Sequence, residues 1–335
     1  MKLLLNIYIR AFIRLLKSPP HFRVVLNYVK YLWARKMGLE VVSHTPTNVV
    51  IYTTKNCNLN CDFCFIGDDL NPNNGGEFEL MYDQYLKITE NEFFKNALRV
   101  GLLGGEPFIA RDIFEILEDL NKRRKVVTVV TNSTLLKGSK LERFINCAPD
   151  ILGLSLYESN WADVERVFLA MQKKSIVWIQ TILEADGLNE IYRSLDFCVS
   201  IGCKNIRFSN YYPTYGKGME KVIFHDDQSF VELKKVITKQ YGNKLNIDWP
   251  APVSRELKSK SCQQPISYVH LDNQGAIGAC FMRPPNESQY GNIFEKDSWN
   301  GARHKELRSY MNSTGSDCDP DCRYCENLSE DLYKI

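Results

Sequence analysis

Six short runs rich in β-branched residues recur along the chain, with helix-length stretches between them. They are "NVVIYTT" (48–54), "LRVGLLG" (98–104), "VVTVVTN" (126–132), "ILGLSLY" (151–157), "SIVWIQTIL" (175–183) and "NIRFSNYY" (205–212). Each is apolar at successive positions, so both faces of each strand are expected to be buried, as in a parallel sheet covered by helices. The intervening stretches, at 79–96, 110–124, 137–147, 161–174, 187–201 and 226–241, carry the helical period. Alternation of β and α at this spacing predicts an α/β barrel or a doubly wound sheet. Six units fall short of the eight that close a full barrel.

The pattern changes after residue 247. "DWPAPVS" (248–254) reads as a linker, "YVHLDNQGAIGACF" (268–281) as a hairpin, and a helix is expected around 300–312. Residues 248–335 therefore form a small second unit, expected to be held by bound ligands rather than by a large core. At the other end, residues 1–44 read as a helical extension broken at "SPP" (18–20). Residues 1–39 hold eight basic residues and no acidic one, with apolar residues between them at helical intervals. Such a segment suits either packing on the main domain or contact with an anionic membrane surface.

The chain has 335 residues and a formal net charge of +2, which points away from a bulk nucleic-acid partner. No run reaches the length of a spanning helix, and no cleavable leader pattern opens the sequence. The expected place is the cytoplasm, with peripheral contact on the inner membrane face as the added option. Eleven cysteines are many for this length, and they cluster. Clustered thiols in a long chain suggest metal or redox chemistry in a reducing compartment. Cys147, Cys198 and Cys203 stand apart from the clusters and read as small buried apolar residues. The five His show no ligand-pair spacing, and His270 reads as structural.

Cys57, Cys61 and Cys64 have the spacing C-x3-C-x2-C and follow the first strand. Loops at the carboxyl ends of parallel strands are where α/β folds place their sites. A closed zinc site needs four protein ligands, and this loop offers three. Three thiolates on a four-iron cluster leave one iron open to a small molecule.

In "CNLNCDFC" the sequence resembles the radical SAM superfamily, and "GGEP" (104–107), "TNSTLL" (131–136) and "LSLYES" (154–159) extend the resemblance. The resemblance implies a partial (β/α)6 TIM-like barrel over 45–247. It implies a 4Fe–4S cluster on Cys57, Cys61 and Cys64, with S-adenosylmethionine (SAM) on its open iron. SAM contacts carry over to Phe63, Gly104, Gly105, Glu106, Asn132, Ser133 and Ser155. Two positions depart from the family pattern: Ser133 stands where a Gly is usual, and Tyr157 where an Asp is common. Cluster-driven cleavage of SAM would give a 5′-deoxyadenosyl radical that abstracts a substrate hydrogen, with a flavodoxin- or ferredoxin-type protein as electron donor. Tyr157, Glu158, Arg207, Asn210 and Tyr212, at the ends of late strands, are the candidate substrate contacts.

Cys262, Cys280, Cys322 and Cys325 resemble the ligand set of a twitch or SPASM domain, and Cys318 is the alternative ligand. One auxiliary 4Fe–4S cluster is the economical implication, with a zinc knuckle as the structural alternative. An electron-accepting cluster favours net oxidation: dehydrogenation of a sugar-like small molecule, or crosslinking of a peptide. A redox-neutral epimerase is the second reading, and a non-catalytic iron–sulfur or zinc interaction protein the third.

Overall fold

The computed structural model describes residues 21–64, 78–213, 218–250, 253, 262–283, 285–312, 322 and 325. Helix α1 (His21–Lys36) leads into strand β1 (Asn48–Tyr52). Next come α2 (Tyr82–Thr89), α3 (Glu92–Asn96), β2 (Arg99–Leu103), α4 (Ile113–Lys122), β3 (Val126–Thr131) and α5 (Ser139–Asn146). They are followed by β4 (Ile151–Ser155), α6 (Trp161–Met171), β5 (Ile176–Leu183), α7 (Glu190–Ile201), β6 (Asn205–Asn210), α8 (Gln228–Tyr241) and β7 (Asn246–Asp248). All six expected strands are present. The helix expected over 79–96 is two helices, because Asn91 starts a new one by accepting from Phe93 N at 2.9 Å.

The strands form one sheet in the order β7-β6-β5-β4-β3-β2-β1-β8-β9, where β8 is Tyr268–Leu271 and β9 is Ile277–Gly278. Strands β1 to β8 pair in parallel, and only β8–β9 is antiparallel. This is the partial TIM-like arrangement: sequential strands side by side, with helices on one face. Alternate residues of each strand pack under those helices. Val49, Ile51, Val100, Leu102, Val127, Val129, Leu152, Leu154, Ile179 and Phe208 are buried in one core cluster.

The C-terminal segment does not rely on ligands alone. The expected hairpin forms, but β8 pairs in parallel with β1, in register from Asn48↔Tyr268 to Ile51↔Leu271. Val269, Leu271, Ile277, Ala279, Tyr290, Ile293, Trp299 and Leu307 join the barrel's own core cluster. A buried strut reinforces the join. Arg308, on α11 (Ala302–Asn312, after the short α9 Gln264–Ser267 and α10 Glu287–Tyr290), donates to the carbonyls of Pro265 (2.9 Å), Glu40 (3.0 Å) and Trp299 (2.8 Å) and to Asn300 Oδ1 (3.0 Å). Its guanidinium lies 4.5 Å from the Trp299 ring centroid. Burial pulls its pKa down to about 9.

Candidate active site

The three-cysteine loop leaves the carboxyl end of β1 and is pinned to the end of β2 by the glycine turn. Gly105 N donates to Thr54 O (2.9 Å), and Glu106 N donates to Asn56 O (2.8 Å). A Cβ on Gly104 would sit 2.4 Å from Thr54 O, and one on Gly105 would sit 2.2 Å from Asn56 O. Both glycines are therefore required by the approach of the residues just before Cys57.

Glu106 is buried and braces the neighbouring turn. Its Oε1 accepts from Thr131 Oγ1 (2.7 Å) and Phe108 N (3.2 Å), and its Oε2 accepts from Asn132 N (2.8 Å). Burial pushes its pKa up to about 7 against these hydrogen bonds, which pull it down. The Asn132 side chain donates to Asn58 Oδ1 (3.0 Å), and Asn58 donates to Thr134 Oγ1 (2.8 Å), so the third strand end also holds the cysteine loop. Ser133 has φ +71°, and its buried Oγ has no partner in the structure. The left-handed conformation accounts for the glycine that is usual here.

Cys57 and Cys64 are exposed and Cys61 is half-buried. Desolvation, then the nearby Cys64 and Cys57, push the Cys61 thiol up to about 11. Desolvation also raises Cys57, with Cys64 among the smaller causes. The three sulfurs thus share one electrostatic neighbourhood. Among the described residues no three His, Cys, Asp or Glu side chains close up as a single-ion cage, so fit rests on donor chemistry: three thiols, mutually destabilised as thiolates until a metal takes their protons. Tyr157 belongs to this neighbourhood. Its hydroxyl faces Ser155 and Cys61, and its ring lies 5.5 Å from that of Phe63.

Below the loop, the face of the sheet turned away from the helices lines the lumen. Strand alternation places Val50, Tyr52, Gly101, Gly153, Ser155, Trp178, Gln180, Arg207 and His270 on it. Trp178 fills the space over Gly153, whose Cβ would meet its ring at 3.0 Å. Trp178 Nε1 donates to Gln180 Oε1 (3.1 Å), and Gln180 Nε2 donates to Ser155 Oγ (3.2 Å). Arg207 stacks 5.3 Å from the Trp178 ring centroid and donates to Asp248 Oδ2 at 2.8 Å. His270 is buried, neither ring nitrogen has a partner in the structure, and burial pulls its pKa down to about 3.

The structure brings Tyr157 and Arg207 toward this space and turns other candidates to other work. Glu158 is 82% exposed and pairs with Arg193 at 3.2 Å. Asn210 clamps Ile223, donating to its carbonyl (2.7 Å) and accepting from its N–H (3.0 Å). Tyr212 is half-buried beyond the end of β6. Trp178, Gln180 and Asp248 were not anticipated. Their signal is strand parity, which an apolar run on both faces conceals.

At the far edge of the sheet, Cys262, Cys280, Cys322 and Cys325 line one cavity with Met282 and Leu307. Desolvation raises both Cys262 and Cys280, the latter to about 12, and Cys325 adds to each shift. Four half-buried cysteines around one cavity fit a cluster bound entirely by protein ligands. Cys318 lies outside the described residues.

The radical SAM superfamily profile matches residues 51–167. PqqA peptide cyclase of Granulibacter bethesdensis is 20% identical over 312 residues, covering 85% of this chain and 81% of its own. A probable GTP 3′,8-cyclase of Methanocaldococcus jannaschii is 25% identical, over 75% of this chain and 88% of its own. The fold matches Streptococcus suis SuiB bound to S-adenosylmethionine with a TM-score of 0.64 at 21% identity, over 92% of this chain and 78% of that one. The family's cofactors are a 4Fe–4S cluster and SAM, with auxiliary clusters in its SPASM members. The part of the chain that matches the radical SAM superfamily profile, residues 51–167, holds the cysteine loop, the glycine turn and both bracing strand ends.

Proposed function

We propose that the chain is a radical SAM oxidoreductase that dehydrogenates or crosslinks its substrate, with an auxiliary cluster as electron acceptor. The observation that carries this reading is the convergence of Cys262, Cys280, Cys322 and Cys325 on one cavity beside the sheet edge. When bound, the two clusters give and accept single electrons and SAM furnishes the hydrogen-abstracting group.

The chain's own residues hold and orient these groups. Cys57, Cys61 and Cys64 would hold the first cluster. Gly104 and Gly105 keep backbone close to it, while Glu106, Asn132 and Ser133 form the bracing turn. Phe63, Ser155 and Tyr157 wall the same space. Arg207, stacked on Trp178 and ion-paired through Nε with Asp248, keeps its other guanidinium N–H groups as donors suited to a carboxylate or peptide carbonyl of a substrate. Peptide is favoured over a sugar-like substrate. The relatives named for peptides include PqqA peptide cyclase and SuiB, which was crystallised with its precursor peptide SuiA. The exposed Cys57 and Cys64 edge suits an external flavodoxin- or ferredoxin-type donor. Residues 1–39 supply peripheral contact with an anionic membrane.

The test is anaerobic reconstitution with SAM and dithionite. Replacing Cys57, Cys61 and Cys64 by Ala is expected to abolish 5′-deoxyadenosine formation. C322A/C325A is expected to lose about four irons per chain and the second paramagnetic signal, yet still cleave SAM. Zinc at the C-terminal site of the wild type, or SAM cleavage in the triple variant, would overturn the assignment.

A further inference from the structure

Helix α1 has two faces with opposite fates. Asn27, Tyr31 and Ala34 are buried against the barrel. Asn27 Nδ2 donates to Thr45 O (3.0 Å), and Asn27 Oδ1 accepts from Thr45 N (2.8 Å). Tyr31 hydrogen-bonds the Gln263 side chain beside Cys262 at 2.9 Å. The other face carries Phe22 (75% exposed), Val25, Leu26, Val29, Leu32 and Trp33 (56% exposed). The spacing 22, 25, 26, 29, 32, 33 makes this one continuous stripe along about three turns. With Met37 and Val41 just beyond it, the stripe holds eight of the twelve large apolar residues exposed among the described residues. It is one patch, well beyond the scattered apolar exposure of an ordinary surface.

The charges around the stripe say what covers it. Arg23, Lys30, Arg35 and Lys36 lie on the same helix, which has no acidic residue. Nearby acids are few: Glu92 faces Arg23 at 3.9 Å, and Glu40 follows the helix. A second copy of this face would set like charges against like. The chain's own residues 1–20 would do the same, since their charged side chains are Lys2, Arg10, Arg14 and Lys17. An anionic lipid surface is complementary to both features: headgroups for the cations, and the acyl boundary for the apolar stripe.

We infer that α1 is a preformed interfacial helix, clamped to the barrel by Asn27 and Tyr31 and seated on anionic lipid through Phe22, Val25, Leu26, Val29, Leu32 and Trp33. This rests on the membrane contact proposed above and narrows it to one helix face. Because Tyr31 bonds Gln263, the lipid surface lies beside the Cys262 end of the molecule and away from the carboxyl ends of the strands.

The test uses the full chain and vesicles of phosphatidylglycerol and phosphatidylcholine, with pure phosphatidylcholine as control. F22S/V29S/W33S, substituted only on the exposed face, is expected to cut cosedimentation by about tenfold or more while leaving the melting temperature and SAM cleavage unchanged. Wild-type Trp33 emission should shift to the blue on the anionic vesicles, a change missing in W33F. If the triple variant binds like the wild type while removal of residues 1–20 abolishes binding, the α1 inference falls and the membrane reading stands. If the wild type ignores anionic vesicles, both fall. If the triple variant instead converts a dimer to a monomer by light scattering, a second copy covers the face and the inference is overturned.

Discussion

The two cysteine sites solve opposite problems. The N-terminal loop keeps Cys57 and Cys64 exposed and is held from below by backbone, through Gly105 N to Thr54 O and Glu106 N to Asn56 O. The C-terminal set lies around a cavity walled by core side chains such as Leu307 and Ala279. One is built to stay open on one side, the other to close around what it holds. The difference shows where precision comes from in each. At the first site it is the absence of side chains at two glycines; at the second it is the packing of large ones.

Substitutions can separate the two. The largest effect is expected from G105A, because a Cβ 2.2 Å from Asn56 O forces the cysteine loop off the turn. Iron content assigned to the first cluster and SAM cleavage should fall at least tenfold, while the C-terminal cluster signal persists. Equal loss of both signals would show that the sites are not separable.

R308M should do the converse. It strips donors from three carbonyls and Asn300 at the C-terminal join, at a cost of about 3 kcal/mol in chemical denaturation. The C-terminal cluster should be the first to be lost. An unchanged unfolding midpoint would deny the strut its role.

Glu106 gives a smaller effect, and one with a pH signature. Its native pKa is raised from 4.5 to about 7, so between these values the native state holds the proton more tightly than the unfolded chain. Its contribution is therefore complete below about pH 4.5 and is lost as pH rises through about 7. E106Q, which turns an amide N–H toward a backbone donor, should be less stable by about 1 kcal/mol or more at low pH. The gap should narrow as pH rises across that window in SAM-free protein. A gap independent of pH would show that Glu106 does not titrate there.

The smallest expected effect is a gain. S133G relieves φ +71° and removes an unpartnered hydroxyl, so stability should rise by about 1 kcal/mol or less. If it falls, Ser133 Oγ has a partner that outweighs the strain.

Much of this was legible in the sequence because parallel strands buried on both faces leave dense apolar runs, and because three thiols in eight residues have few structural uses. The same density hid the lumen. In "SIVWIQTIL" nothing distinguishes Trp178 and Gln180 from the residues under the helices until the register with β4 and β6 sets the parity. The sequence shows β8 only as part of a hairpin, since four residues cannot announce a parallel partner more than two hundred positions earlier. Asn210 and Glu158 looked like site residues from their place at strand ends. One clamps a loop and the other pairs with Arg193 at the surface.

That late pairing has a practical meaning for anyone cutting the gene. Strand β1 lies between β2 and β8. A product ending at residue 247 would leave it a bare parallel edge, its ladder hydrogen bonds open to any passing chain. Expressed alone, such a fragment should go to inclusion bodies. A fragment that keeps β8 beside β1 closes that edge, and is expected to stay in the soluble fraction where the shorter one does not.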